Sequence, residues 1–307
     1  MNSETSFKMN ETIYVRIRGG LGNQMFQYAF AYMLSKKYVC SKLILDIREY
    51  KDYYWPFELD CFNLPTNYEI STQKLKYDSK IKSYHFYQGI YRRLHHKSPT
   101  SLKKSYIKKG YLFCGQYCEM PPDKLSDDIY LYGYFQNADL LAPIREDLSK
   151  IFVLKEQTDL VKKYLKRIKP NSVSINIRFA KEIELKNNET YTYSSKKYYV
   201  ELVKEIKKRR KENIQLVISS NDIKNVKQEK WFDDFDDVVF VENCSAIEQL
   251  EIMKHCRDFV LSNSTFSWWI GYLGSFNKDS VVLAPKTWFQ GQDITDTKIK
   301  FEEMEIR

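Results

Sequence analysis

Ile13, Val15 and Ile17 recur every second residue, the period of a strand, and the alternation stops at Gly19 and Gly20. A helical spacing then takes over through Phe26, Ala29, Phe30, Met33 and Leu34. The chain therefore opens as strand, glycine turn, helix. A second strand is predicted at 43–47, after which the pattern becomes irregular and aromatic through Tyr53, Tyr54, Trp55 and Phe57. Alternation returns at 129–136, an aromatic strand.

The second half is more regular. Strands are predicted at 173–177, 214–219, 238–241, 259–261 and 280–284, and helical stretches at 196–211, 222–227, 246–256 and 264–273. That alternation predicts a parallel sheet covered on both faces. Ligands of such sheets bind beyond the carboxyl ends of the strands, here Arg178, 219–222, 242–245 and 262–267. A charged helical connector near 155–170 is the expected boundary, giving domains at 1–160 and 161–307.

Composition narrows the class. The 307 residues are 43% hydrophobic and 15% aromatic, with only 10 Gly and 8 Pro, as in a globular chain. No apolar stretch approaches the roughly 20 residues of a membrane span. Residues 1–10 lack the apolar core of a signal peptide, so an intracellular, cytoplasmic protein is expected. The Asn-X-Ser/Thr strings at Asn10, Asn188, Asn243 and Asn263 then have no bearing on glycosylation. The six scattered cysteines read as reduced, mostly buried thiols; Cys114 and Cys118 with His95 and His96 match no common zinc spacing. Between Ser79 and Cys118 there is no acid but nine basic residues, as many as the whole net charge of +9. Aromatics interleave them. Such a window suits an anionic surface, a membrane in preference to nucleic acid, and a solvated basic face is the competing reading.

The glycine turn admits φ > 0 and close approach of a bound group, with helix amides behind it that favour anions. It is not the dinucleotide fingerprint, because Met25 stands where a third glycine is expected, and this disfavours a nicotinamide oxidoreductase. Gly20-Leu21-Gly22-Asn23-Gln24-Met25-Phe26-Gln27 closely resembles the N-terminal signature of bacterial and animal α-1,2-fucosyltransferases (glycosyltransferase family 11-like). Three more blocks agree. Gly133-Tyr134-Phe135-Gln136 is similar to a segment of those enzymes, and Asn263-Ser264-Thr265-Phe266-Ser267-Trp268-Trp269 is similar to their Asn-Ser-Ser-Phe-Ser-Trp-Trp block. Ser220-Asn221-Asp222 occupies the place of their Ser-Asp-Asp segment.

Each block also has a plain structural reading. Ser264, Thr265 and Ser267 offer hydroxyls beside helix amides that suit a pyrophosphate, while Asn263 or Ser264 can simply cap the helix. Trp268 and Trp269 read as core. The Asp222 carboxylate can accept from guanine N1–H and N2–H, or cap the following turn. The acidic run 233–237 precedes a strand instead of ending one, so it reads as a solvated turn and no metal site is expected.

At Asn176-Ile177-Arg178-Phe179-Ala180-Lys181 the chain departs from the family's His-x-Arg-Arg-x-Asp. The first arginine remains; His, the second Arg and Asp are replaced. Arg178 can still grip a β-phosphate with two parallel N–H bonds. Asn176 either keeps the hydrogen bonds of a structural histidine or marks weakened or rearranged catalysis. The following loop carries Glu182, Glu184 and Glu189, any of which could supply a carboxylate, with solvated loop charges as the favoured reading.

The resemblance implies a GT-B-like α/β fold, two Rossmann-like domains facing a cleft. The N-terminal one would be acceptor-side and the C-terminal one would bind the GDP-sugar. It implies inverting, metal-independent transfer of L-fucose from GDP-fucose to a galactoside hydroxyl in α-1,2 linkage, in bacterial surface glycan synthesis, without a cofactor. The acceptor would be a galactose-containing glycan, lipid-linked or free; the basic window adds the expectation that this cytoplasmic enzyme can be peripheral on the inner face of the membrane. Arg178 and Asn23 would be catalytic. Gly20, Gly22, Gln24, Asn176, Ser220, Asp222, Asn263, Ser264, Thr265 and Ser267 would bind the donor. A relative with different GDP-sugar specificity, or one that binds without turnover, is the alternative.

Overall fold

The computed structural model describes residues 12–39, 42–65, 68–75, 77–95, 100–123, 128–179, 195–289 and 292–307. The chain divides into two compact units, 1–59 with 64–144, and 60–63 with 145–307. The boundary expected near 155–170 falls inside the second unit. Phe62 bridges back to Leu154, its ring meets Phe152, and Phe152 meets Trp269. This aromatic packing ties the chain just ahead of that connector to the second core.

In the first unit, β1 (Thr12–Arg16), β2 (Lys42–Asp46), β3 (Tyr68–Ser71), β4 (Tyr111–Phe113) and β5 (Asp128–Tyr132) form one parallel sheet ordered β3-β2-β1-β5-β4. Ile13, Val15 and Ile17 are fully buried, as is most of α1 (Leu21–Tyr38). The opposite face is aromatic. Tyr14 stacks on Tyr130 at 4.9 Å and Tyr130 on Tyr111 at 5.0 Å. Tyr77, Ile81 and Tyr84 from the start of α2 (Asp78–His95) cover that face. The basic window thus forms most of α2, α3 (Thr100–Lys108) and β4.

The strand expected over 129–136 stops at Tyr132. A Cβ on Gly133 would lie 2.1 Å from the Cys114 carbonyl oxygen, and Phe135 adopts φ +55. The chain must turn there, and α4 (Ala138–Leu141) follows.

In the second unit, α5 (Arg145–Ile151) and α6 (Asp159–Leu165) precede a six-stranded parallel sheet. Its strands are β6 (Ser172–Ile177), β7 (Gln215–Ser220), β8 (Val238–Phe240), β9 (Asp258–Val260), β10 (Val282–Ala284) and, beyond the short antiparallel pair β11 (Thr287–Phe289) and β12 (Gln292–Asp293), β13 (Met304–Ile306). The order is β13-β10-β9-β6-β7-β8. Every residue of β6 is buried, as a central parallel strand requires. Tyr199, Leu202, Val203 and Ile206 of α7 (Lys196–Arg210) pack on it. The remaining helices are α8 (Ile223–Gln228), α9 (Ala246–Met253) and α10 (Thr265–Gly274). Trp268 and Trp269 are fully buried, as their reading as core requires.

Strand order reverses once in each sheet. In the first, β1 leads to β2 and β3 on one side while β5 and β4 lie on the other; in the second the reversal lies between β6 and β9. Those are the switch points where sheets of this kind bind ligands.

Candidate active site

At the first switch point, Gly19 has φ +84 and its carbonyl accepts from the Tyr50 hydroxyl at 2.7 Å. A Cβ on Gly19 would lie 2.7 Å from Asn23 Nδ2, so the bare glycine is what lets Asn23 fold under the turn. Gly20 lies against the Trp55 ring, and Gly22 is buried in the first turn of α1. Asn23 Oδ1 accepts from Gln136 Nε2 at 3.0 Å, which joins two sequence blocks more than a hundred residues apart. The Gln136 Oε1 atom is buried with no partner among the described residues.

Gln24 and Gln27 are fully buried braces. Gln24 donates to the carbonyls of Gly19 and Pro56 and accepts from the Glu58 amide at 3.0 Å. Gln27 accepts from the Arg18 amide and donates to the Gly133 carbonyl at 3.1 Å. The Gln24 side chain, expected at the donor, is thus engaged within the first unit. Asn23 is the half-exposed amide of this motif.

Sequence reading passed over Arg18, although it stands at the strand end, just before the glycines. Its guanidinium donates to the Tyr132 hydroxyl at 2.8 Å and lies 5.6 Å from the ring centres of Tyr132 and Tyr134. Arg16 behind it is buried against Asp46 at 2.7 Å, Glu49 at 2.9 Å and Asp78 at 2.6 Å. Burial opposes its charge, but the surrounding Tyr77, Asp46 and Glu49 outweigh burial and raise its pKa. Arg48 and the Tyr77 hydroxyl complete the network on Asp46. The first strand end is therefore rigid and electrostatically closed beneath Arg18.

At the second switch point, Asn176 is 6% exposed. Its Nδ2 donates to Ser219 Oγ at 2.8 Å, and its Oδ1 accepts from Ser262 Oγ at 3.4 Å. One neutral amide thus links β6 to both neighbouring strands. Two residues on, the Asn221 side chain clasps the Phe179 backbone, accepting from its amide at 2.8 Å and donating to its carbonyl at 2.9 Å. Half-buried Arg178 stands between these two fixed points. They fix the residues on either side of it.

The register Ile175↔Val260 pairs β6 with β9, so Arg178 and Asn263 follow the carboxyl ends of two neighbouring parallel strands. Ser264 precedes α10 with no side-chain capping bond. The Asn263 amide donates to the Trp288 carbonyl at 3.4 Å, and its Oδ1 is buried with no partner among the described residues. Thr265 is half-buried in the first helical turn. Ser267, by contrast, is fully buried and accepts from the Ser262 amide at 3.0 Å, holding the turn in shape. Tyr198 braces the same strand end by donating to the Leu261 carbonyl at 2.9 Å, and burial raises its pKa.

Next to them, Ser220 Oγ accepts from the Asp222 amide, and Asp222 Oδ1 caps α8 by accepting from the Asn225 amide at 3.2 Å. Asp222 is exposed, so its second oxygen faces solvent. A guanidinium and open helix amides at neighbouring strand ends are groups that can attract an anion, with a carboxylate one strand away.

Asp233, Asp234 and Asp236 are exposed and precede β8, as a solvated turn does. Among the described residues no group of three His, Cys, Asp or Glu side chains could hold a metal ion. No helix among them is long and apolar enough to cross a membrane. Lys181, Glu182, Glu184 and Glu189 lie outside the described residues.

Two units, each built on a parallel α/β sheet, give the protein a GT-B-like fold. The chain belongs to glycosyl transferase family 11, whose family model matches residues 5–304. It is 26% identical over 294 residues to the alpha-1,2-colitosyltransferase of Escherichia coli, covering 92% of this chain and 94% of that one. It is 28% identical over 305 residues to the O-antigen biosynthesis glycosyltransferase WbnK of Escherichia coli, covering 92% and 96%. Its fold matches that of a point mutant of Arabidopsis thaliana FUT1 in complex with GDP, at a TM-score of 0.50 and 11% identity, over 89% of this chain and 70% of that one.

Proposed function

We propose that this glycosyltransferase moves L-fucose from GDP-fucose to a galactoside hydroxyl, in α-1,2 linkage, during O-antigen synthesis. The observation that carries the reading is the second strand edge, where Arg178 follows β6 and the Asn263–Thr265 turn into α10 follows its neighbour β9. A diphosphate placed there would meet a planar cation and helix amides, and Asp222 would meet a guanine edge. The O-antigen setting and the α-1,2 linkage rest on the two relatives' names.

The acceptor oxygen bonds to C1 of the sugar as the bond from C1 to the β-phosphate oxygen breaks. The proton of the acceptor hydroxyl passes to a base, and GDP departs with the electron pair. The transition state is oxocarbenium-like, so its largest need is stabilisation of charge on departing GDP. Arg178 and the α10 amides meet that need without a metal. In this reading Asn23 positions the acceptor or the donor sugar, and the first unit is the acceptor side.

A second reading is favoured by the colitosyltransferase relative. Colitose is fucose without its 3-hydroxyl, so the two donors share the GDP site and differ at one sugar position. Steady-state transfer from GDP-fucose, GDP-colitose and GDP-mannose to a panel of galactosides separates the readings. Highest kcat/KM with GDP-fucose supports the first. Preference for GDP-colitose transfers the assignment to the second, and GDP binding without transfer from any donor refutes both.

A further inference from the structure

We infer that the outer face of α2 docks the enzyme on an anionic lipid bilayer. The inner face of this helix is occupied, with Ile81 and Tyr84 packed beneath it against Phe113 and Tyr130. On the other side Phe86, Ile90 and Leu94 recur every fourth residue, and Tyr87 and Tyr91 run beside them. All five are large and exposed, Phe86 by 64% and Leu94 by 69%. Residues four apart on a helix form one stripe. A stripe of this kind is costly in water unless something covers it.

Charge says what covers it. Lys82 and Arg93 flank the stripe on the helix itself, and Lys104 and Lys108 are exposed on α3, whose Tyr106 ring packs 5.2 Å from that of Tyr84. The segment 79–118 contains no acid, so nothing within it neutralises these cations. An apolar stripe with a basic margin is the pattern of a helix lying in the headgroup layer, with rings in the acyl boundary and ammonium groups at the phosphates. A second copy of the chain fits poorly, because two-fold pairing would press one acid-free basic window against another. Nucleic acid would use the cations but leave Ile90 and Leu94 without an apolar partner.

The test is co-sedimentation of the full chain with vesicles of phosphatidylcholine alone and of phosphatidylcholine mixed equally with phosphatidylglycerol. Wild type should bind only the mixed vesicles and be released as salt rises. K82Q/R93Q should weaken binding about five-fold per charge, or about twenty-five-fold. F86S/L94S should weaken it at least about ten-fold, since two buried apolar side chains are lost. Both variants change exposed positions, so their melting temperatures should equal that of wild type. Equal binding to both vesicles, binding to neither, or undiminished binding by F86S/L94S overturns the proposal. A wild-type dimer that F86S/L94S converts to monomer assigns the face to a second copy and overturns it as well.

Discussion

Replacing Asn176 by His introduces the residue type of the His-x-Arg-Arg-x-Asp motif that this segment resembles, and the geometry sets what that should do. The amide makes two hydrogen bonds, a donated one to Ser219 at 2.8 Å and an accepted one from Ser262 at 3.4 Å. A neutral imidazole also has one donor and one acceptor, on nitrogens farther apart, in a position that is only 6% exposed. We expect it to keep the short bond and lose the long one, costing about 1 kcal/mol of stability. Asn176→Ala loses both bonds and should cost about 2 kcal/mol. The kinetic effect should pass through Arg178, two residues away. Its displacement weakens the grip on GDP, so donor KM should rise about ten-fold, equivalent to about 1.4 kcal/mol, with kcat within about three-fold of wild type. Initial rates at varied GDP-fucose and pH, with chemical denaturation of both variants, read all these quantities. An inactive wild type revived by Asn176→His, with a new pH limb near about 6.5, would show that this position supplies the catalytic proton carrier and refute the positioning role.

Arg178→Ala should lower turnover by about two to three orders of magnitude and weaken GDP binding. Arg178→Lys should rescue it poorly, because a point charge lacks the planar fork; wild-type rates in either variant remove Arg178 from the mechanism. Gln24→Ala should destabilise the protein by about 1–2 kcal/mol, since the buried Glu58 amide loses its partner while the Gly19 carbonyl keeps Tyr50 and the Pro56 carbonyl belongs to an exposed residue. Its GDP affinity, by titration calorimetry, should stay within about three-fold of wild type, and a loss as steep as that of Arg178→Ala would return Gln24 to the donor site. Arg145 donates to the Tyr272 carbonyl at 2.6 Å and to both Glu303 oxygens at 2.7 and 2.8 Å. Arg145→Met should therefore cost about 3 kcal/mol in denaturant unfolding, and a change below about 1 kcal/mol would mean these bonds are replaced.

The second unit was legible because its strands are short buried runs separated by helices with one apolar side, as β6 and α7 show. The first unit was only partly legible. In α2 the apolar residues occupy both the buried and the exposed face, so no helical period stands out. β3 and β4 span few residues, and β13 reads as charged sequence because Glu305 stands at its centre. The charge of 155–170 suggests a boundary, whereas the Phe62–Phe152–Trp269 contacts that hold the preceding residues in the second unit are long-range. At the candidate site, Arg178, Asn263, Ser264 and Asp222 lie at strand ends where the sequence pattern put them. Gln24 and Ser267 lie in the same motifs, but their side chains stabilise the turns. A motif shows that a residue is needed at its position, whereas only its partners distinguish scaffold from contact. Arg18 carried a readable signal, a charged residue at a strand end before a glycine turn.

The most direct test of the account is to incubate the purified chain with labelled GDP-fucose and β-galactosides in the presence of EDTA, and to determine the linkage of the product. The account predicts α-fucosylation of the galactose 2-hydroxyl without added metal, and its near loss in Arg178→Ala. Strict dependence on Mn²⁺ or Mg²⁺, a product of retained anomeric configuration, or transfer unaffected by loss of Arg178 would contradict it.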